Sequence, residues 1–150
     1  MANIVFNIAK GSVNAYYDRV KNNDPATSRL VLIPIETSGL ESDATLIDAD
    51  TLAAVLAGAT NEQATMGRKY LTDADLAAGG PTDASDYNGR SAPSVTWTGA
   101  TGNAISKIVV AYDPATSADS AIVPMTMFDF AITPDGSDVT ATGAEFFRAT

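Results

Sequence analysis

The sequence predicts a mainly β domain of α+β type: an antiparallel β-sandwich or barrel with two short helices packed at one edge or end. Three observations carry that expectation. In the last third, β-branched and aromatic runs recur roughly every ten residues, with turn chemistry between them. Only two stretches place apolar residues at helical spacing. The chain has 150 residues, 45% hydrophobic and 18% charged, which is the range of a self-sufficient core and not of disorder, collagen-like repeats or a coiled coil. Residues 1–150 are therefore read as a single domain.

Ile4, Phe6 and Ile8 alternate with Val5 and Asn7, so residues 1–10 read as a short strand or an extended docking arm. Ser12 fits an N-cap, and Val13, Tyr16, Tyr17 and Val20 share one helical face before Asn22-Asn23-Asp24-Pro25, which predicts a helix over residues 13–22. Arg29 to Ile35 reads as a buried strand. Asp50 as cap, the stripe Leu52, Val55 and Leu56, and Gly58 as stop predict a second helix over residues 51–57. Arg68 to Thr72 suits a strand, whereas Thr72-Asp73-Ala74-Asp75-Leu76 suits a capped helical turn; propensity leaves both open. Residues 78–93 hold Gly79-Gly80-Pro81, Asn88-Gly89 and Pro93 with almost no apolar side chains, the pattern of the longest loop. Strands then follow: Val95 and Trp97, Ile105 to Tyr112, Ile122 to Ile132 with Phe128 and Phe130 on one face, and Val139 to Thr142 after the turn Thr133-Pro134-Asp135-Gly136. The pentapeptide Asp-Pro-Ala-Thr-Ser occurs at 24–28 and again at 113–117. Both copies read as turns, with Asp accepting backbone N–H bonds and Pro presetting φ.

The net charge of −9, spread as −4 over residues 1–75 and −5 over residues 76–150, has the wrong sign for phosphates or anionic lipid, so no nucleic-acid or membrane partner is expected. Met1-Ala2-Asn3 lacks a basic n-region and Ile4 to Ala9 is too short for an export signal. Leu30 to Ile35, broken by Pro34, falls far short of the ~20 residues that span a bilayer. With no Cys there is no disulfide or thiolate, and with no His the commonest general base and metal ligand are missing. Lys10-Gly11-Ser12 lacks the upstream glycine of a phosphate loop, and Gly99-Ala100-Thr101-Gly102 lacks its lysine. Asp83 to Gly89 would place Ala84 and Val95 at calcium-ligand positions. No cofactor, no metal and no catalytic residue is therefore assigned, and the chain is read as a non-enzyme. Two arrangements of carboxylates remain as alternatives: Asp113, Asp119 and Asp135/Asp138 meeting around calcium, and the pairs Glu41/Asp43, Asp48/Asp50 and Asp73/Asp75 as acid and base.

The candidate contact residues are apolar and lie near the termini, where segments reach neighbours most readily: Ile4, Phe6, Ile8, Tyr16, Tyr17, Phe146 and Phe147. Tyrosine tolerates half-burial with its hydroxyl in water. Phe146 and Phe147 either staple the last strand or pack on a neighbouring subunit. For each of the seven, closing the chain's own core is the competing role. Trp97, Phe128 and Phe130 are read as core.

Three stretches carry a family resemblance. They are Leu40-Glu41-Ser42-Asp43-Ala44-Thr45-Leu46 leading to Asp50-Thr51-Leu52-Ala53-Ala54; Arg68-Lys69-Tyr70-Leu71-Thr72-Asp73-Ala74-Asp75; and Lys107 to Pro114 followed by Phe128-Asp129-Phe130 and Thr133-Pro134-Asp135-Gly136-Ser137-Asp138. Together they resemble a family of small virion structural proteins of tailed bacteriophages, over essentially the whole chain. The resemblance implies a capsid cement or decoration protein on the outside of the virion, made in the host cytoplasm. It further implies binding between major capsid protein subunits and self-association as a homotrimer. A head–tail connector or tail structural protein, and a glycan-binding or host-attachment module, are the alternative functions.

Overall fold

β-branched residues crowd the pleated surface favourably, and the three longest such runs become the three central strands of one sheet. The computed structural model describes residues 4–77, 82–84 and 87–149. In chain order these form β1 (Ile4–Val5), a 3₁₀ turn (Asn7–Ala9), α1 (Val13–Lys21), β2 (Arg29–Glu36), α2 (Asp43–Leu46), α3 (Leu52–Val55), β3 (Lys69–Leu71), α4 (Asp73–Leu76), β4 (Thr82–Ala84), β5 (Tyr87–Ala92), β6 (Val95–Trp97), β7 (Ile105–Asp113), a second 3₁₀ turn (Asp119–Ala121), β8 (Val123–Ile132), β9 (Val139–Ala141) and β10 (Ala144–Ala149).

The main sheet has the order β1-β8-β7-β2-β3, and every pair of neighbours is antiparallel. Two smaller antiparallel sheets, β10-β5-β4 and β6-β9, accompany it. The mainly β, antiparallel character predicted from the sequence is what the chain adopts. The main sheet ends at short edge strands, β1 and β3, and does not close into a barrel.

Alternation along the central strands divides the core in two. Leu30, Leu32, Ile108, Val110 and Tyr112 point to one face, where Val13, Tyr17 and Val20 of α1, Leu76 of α4, and Trp97 and Val139 of the β6-β9 sheet cover them. Val31, Ile33, Ile35, Val109 and Ala111 point to the other, beneath Phe6, Leu46 of α2, and Leu52 and Val55 of α3. One sheet thus carries two hydrophobic cores.

The structure corrects three expectations about elements and resolves a fourth stretch that propensity leaves open. There are four α-helices among the described residues, not two. The second expected helix is shorter, Leu52–Val55, and its cap is Thr51, whose hydroxyl accepts from the Ala54 N–H at 3.1 Å; Asp50 lies one residue outside. The ambiguous stretch 68–76 resolves into both readings in succession, β3 and then α4, the latter opened by a reciprocal cap between Thr72 and Asp75. Within the expected loop 78–93, Thr82–Ala84 and Tyr87–Ala92 are strands: β5 pairs with β10 and β4 adds to β5, so pairing and not their own composition organises them. The remainder of that loop up to residue 86 lies outside the described residues.

The two Asp-Pro-Ala-Thr-Ser turns come to lie side by side, with Thr27 and Ala115 forming a parallel bridge. In the second copy Asp113 accepts from the backbone N–H groups of Ser117 at 2.8 Å and Ala115 at 3.2 Å, as an Asp-initiated turn requires. Its other oxygen receives the Arg29 Nε–H at 2.8 Å.

Candidate functional site

Residues 1–3 of the expected docking arm lie outside the described residues, and residues 4–10 do not form a free arm. Ile4 and Val5 pair with Met127 and Thr126, and the Phe6 N–H continues the ladder to the Met125 carbonyl at 3.0 Å. This places Phe6 in the second core at 0% exposure, where it is unavailable as a contact. Ile4 is half-buried against the same core, and Ile8, 41% exposed on the 3₁₀ turn, is the one of the three that faces water.

Tyr17 is likewise fully buried, against β5 and β10, and its hydroxyl donates to the Ser91 carbonyl at 2.8 Å. Burial pushes its phenol above the ordinary value, partly offset by the Arg90 guanidinium nearby. Tyr16 is half-buried and stacks on Tyr112 with ring centroids 4.8 Å apart. The adjacent tyrosines therefore divide between core and margin, because one helical step of about 100° separates neighbouring side chains.

Phe146 and Phe147 on β10 are half-buried against the first core. The Phe146 ring lies 5.9 Å from that of Tyr17, joining two of the predicted residues. Beyond Phe146 this face is incompletely covered. A cavity of about 270 Å³ opens there, with Ile108, Val110, Phe128 and Phe130 of the main sheet on one side and Pro93 and Phe146 on the other. Phe128 and Phe130, which the sequence assigned to the core, are half-buried walls of this groove. Their alternation on β8 is visible in the sequence; the gap opposite them is a property of how the smaller sheets dock.

Two glycines let those segments approach closely. A Cβ on Gly143 would meet the backbone of Ala92, Pro93 and Ser94 at 2.6–2.7 Å, and the Gly143 N–H instead donates to the Ser94 hydroxyl at 2.8 Å. A Cβ on Gly89 would run into the Glu145 carboxylate at the groove's edge. Glu145 also receives the Arg148 Nε–H at 2.6 Å, so the rim presents an ion pair and not a lone charge.

The carboxylates are distributed among structural roles. Asp43 and Asp129 flank the Lys107 ammonium at 3.0 and 2.6 Å. Burial alone would lower that lysine's pKa, but bonds to the two aspartates hold it above the ordinary value. Glu62 and Asp119 share the Arg68 guanidinium, each at 2.6 Å, which raises the arginine further and keeps the Asp119 carboxyl below the usual range. Asp48 receives the Asn7 side-chain amide, Asp75 caps α4, Asp135 accepts from the Ser137 N–H at 3.0 Å, and Asp138 from the Gly99 N–H at 2.8 Å. Asp113, Asp119, Asp135 and Asp138 thus serve separate partners instead of meeting. Among the described residues no group of three or more His, Cys, Asp or Glu side chains is placed to hold a metal ion, and no helix is long and apolar enough to cross a membrane.

What this arrangement offers chemically is a concave apolar surface with aromatic walls, suited to burying a partner's apolar group. No family model matches the chain, and no curated protein or solved structure matches it.

Proposed function

We propose that the chain is a capsid cement or decoration protein of a tailed bacteriophage, holding neighbouring major capsid protein subunits together on the outside of the head. It works by adhesion and turns over no substrate. The observation that carries this reading is the groove walled by Phe128, Phe130 and Phe146, an apolar concavity at the margin of an otherwise closed core. Buried aromatic anchors dominate the energetics of protein contacts, so a surface of this kind supplies adhesion without any reactive group. The acidic charge of −9 supports the reading by disfavouring capture of DNA. The resemblance carried by the quoted sequence strings supports a phage lineage and, with it, the expectation of a homotrimer on the shell. Repetition over many equivalent sites would give large total stabilisation from contacts of ordinary size, ~1,600 Å² each.

The test is to add purified protein to heads assembled without it and to measure occupancy and position by electron microscopy. Hundreds of copies per head are expected, with Phe130→Ser folded but absent from the shell. Wild-type protein that stays off heads, or a Phe130→Ser variant that decorates them normally, overturns the proposal. Six to twelve copies at one vertex would assign the chain to the connector instead.

A further inference from the structure

We draw no further inference here: the strongest candidate, the apolar groove between β8 and the β9–β10 segment, belongs to the site already described, and nothing in the structure shows what covers it.

Discussion

The two faces of the main sheet are built from the same strands yet finished differently. Over Val31, Ile33 and Val109 the covering segments are short helices fastened at several points: Lys107 to Asp43, the Leu52 N–H to the Ile122 carbonyl at 2.9 Å, and the Asn7 N–H to the Ile47 carbonyl at 2.8 Å. Among the described residues, Phe6 is the sole aromatic ring in that core, and it is wholly enclosed. Over Leu32, Ile108 and Val110 the cover consists of α1 and two small sheets, and several rings at its margin remain half-exposed. A face closed by polar fastenings has little left to offer a partner. The face whose cover stops short of Phe128 and Phe130 is where the chain keeps apolar surface accessible, and it does so without weakening the strands beneath.

Neighbouring residues on β8 give the sharpest way to break this comparison. Met127 is fully buried on the fastened face, and Phe128 lines the groove on the other. Met127→Ala should cost about 2–5 kcal/mol by urea unfolding, as a buried large-to-small change does. Phe128→Ala should cost less, about 1–1.5 kcal/mol, because its ring is only partly buried at the groove wall. Equal losses would mean that the two faces are energetically alike.

Next in size is Asp113, whose carboxylate is completely enclosed. Burial by itself would raise its pKa, but bonds from the Ser117 N–H, Arg29 and the Ala115 N–H bring it below the ordinary 3.8. A carboxyl depressed in the folded state adds stability above its unfolded value and loses that contribution as pH falls through the folded one. The urea midpoint should therefore hold from pH 7 to about 5 and fall below pH 3.8. Asp113→Asn should remove about 1.5–3 kcal/mol at pH 7 and flatten that acid limb, on either side of the sheet equally. An acid limb of unchanged steepness would remove Asp113 as its origin.

Thr51→Ala tests the fastened face at its helix ends, with about 1 kcal/mol expected from the lost cap of α3. No change in thermal midpoint would show that packing alone holds that helix. Smallest is Ile8→Ser, expected to stay within about 0.5 kcal/mol because the side chain already faces solvent. A larger drop by the same measurement would show that the N-terminal turn contributes packing that its exposure conceals.

These contrasts also show how far the sequence could be read. Strands β2, β7 and β8 are legible because their branched and aromatic residues are excluded from helices and turns by ordinary propensity. Helix α1 is legible through its apolar stripe. Strand β5 is not, because Tyr87–Ala92 contains Asn88 and Gly89 and becomes a strand through its partner β10, 52 or more residues away in the chain. Helix α2 is not legible either, because four residues show no periodicity; its one signal is Ser42, whose hydroxyl caps the Thr45 N–H at 3.3 Å. Among the contact candidates, apolar character identified Phe6 and Tyr17 as residues that must be buried, but not in what. The answer depends on β1 joining β8 and on β5 and β10 meeting Tyr17, which are long-range contacts that no local pattern encodes.

The pairing of β2 with β7 runs from Arg29 opposite Asp113 to Glu36 opposite Ile105, and its two ends are unlike. At the first, one enclosed carboxylate grips Arg29 and the following turn together. At the second, the register slips between Ile35 and Glu36, and the flanking Thr37 and Ser106 hydroxyls meet at 2.7 Å where solvent reaches them. The two ends of this seam are therefore held by different means: an enclosed ion pair and turn beside Arg29, and separate bonds beside Glu36, whose N–H donates to the Asn61 carbonyl at 2.9 Å and whose carboxylate receives the Asn103 amide at 2.9 Å. The enclosed carboxylate joins strand, neighbour and turn in one place, so the two matching pentapeptides are tied to the same corner of the sheet.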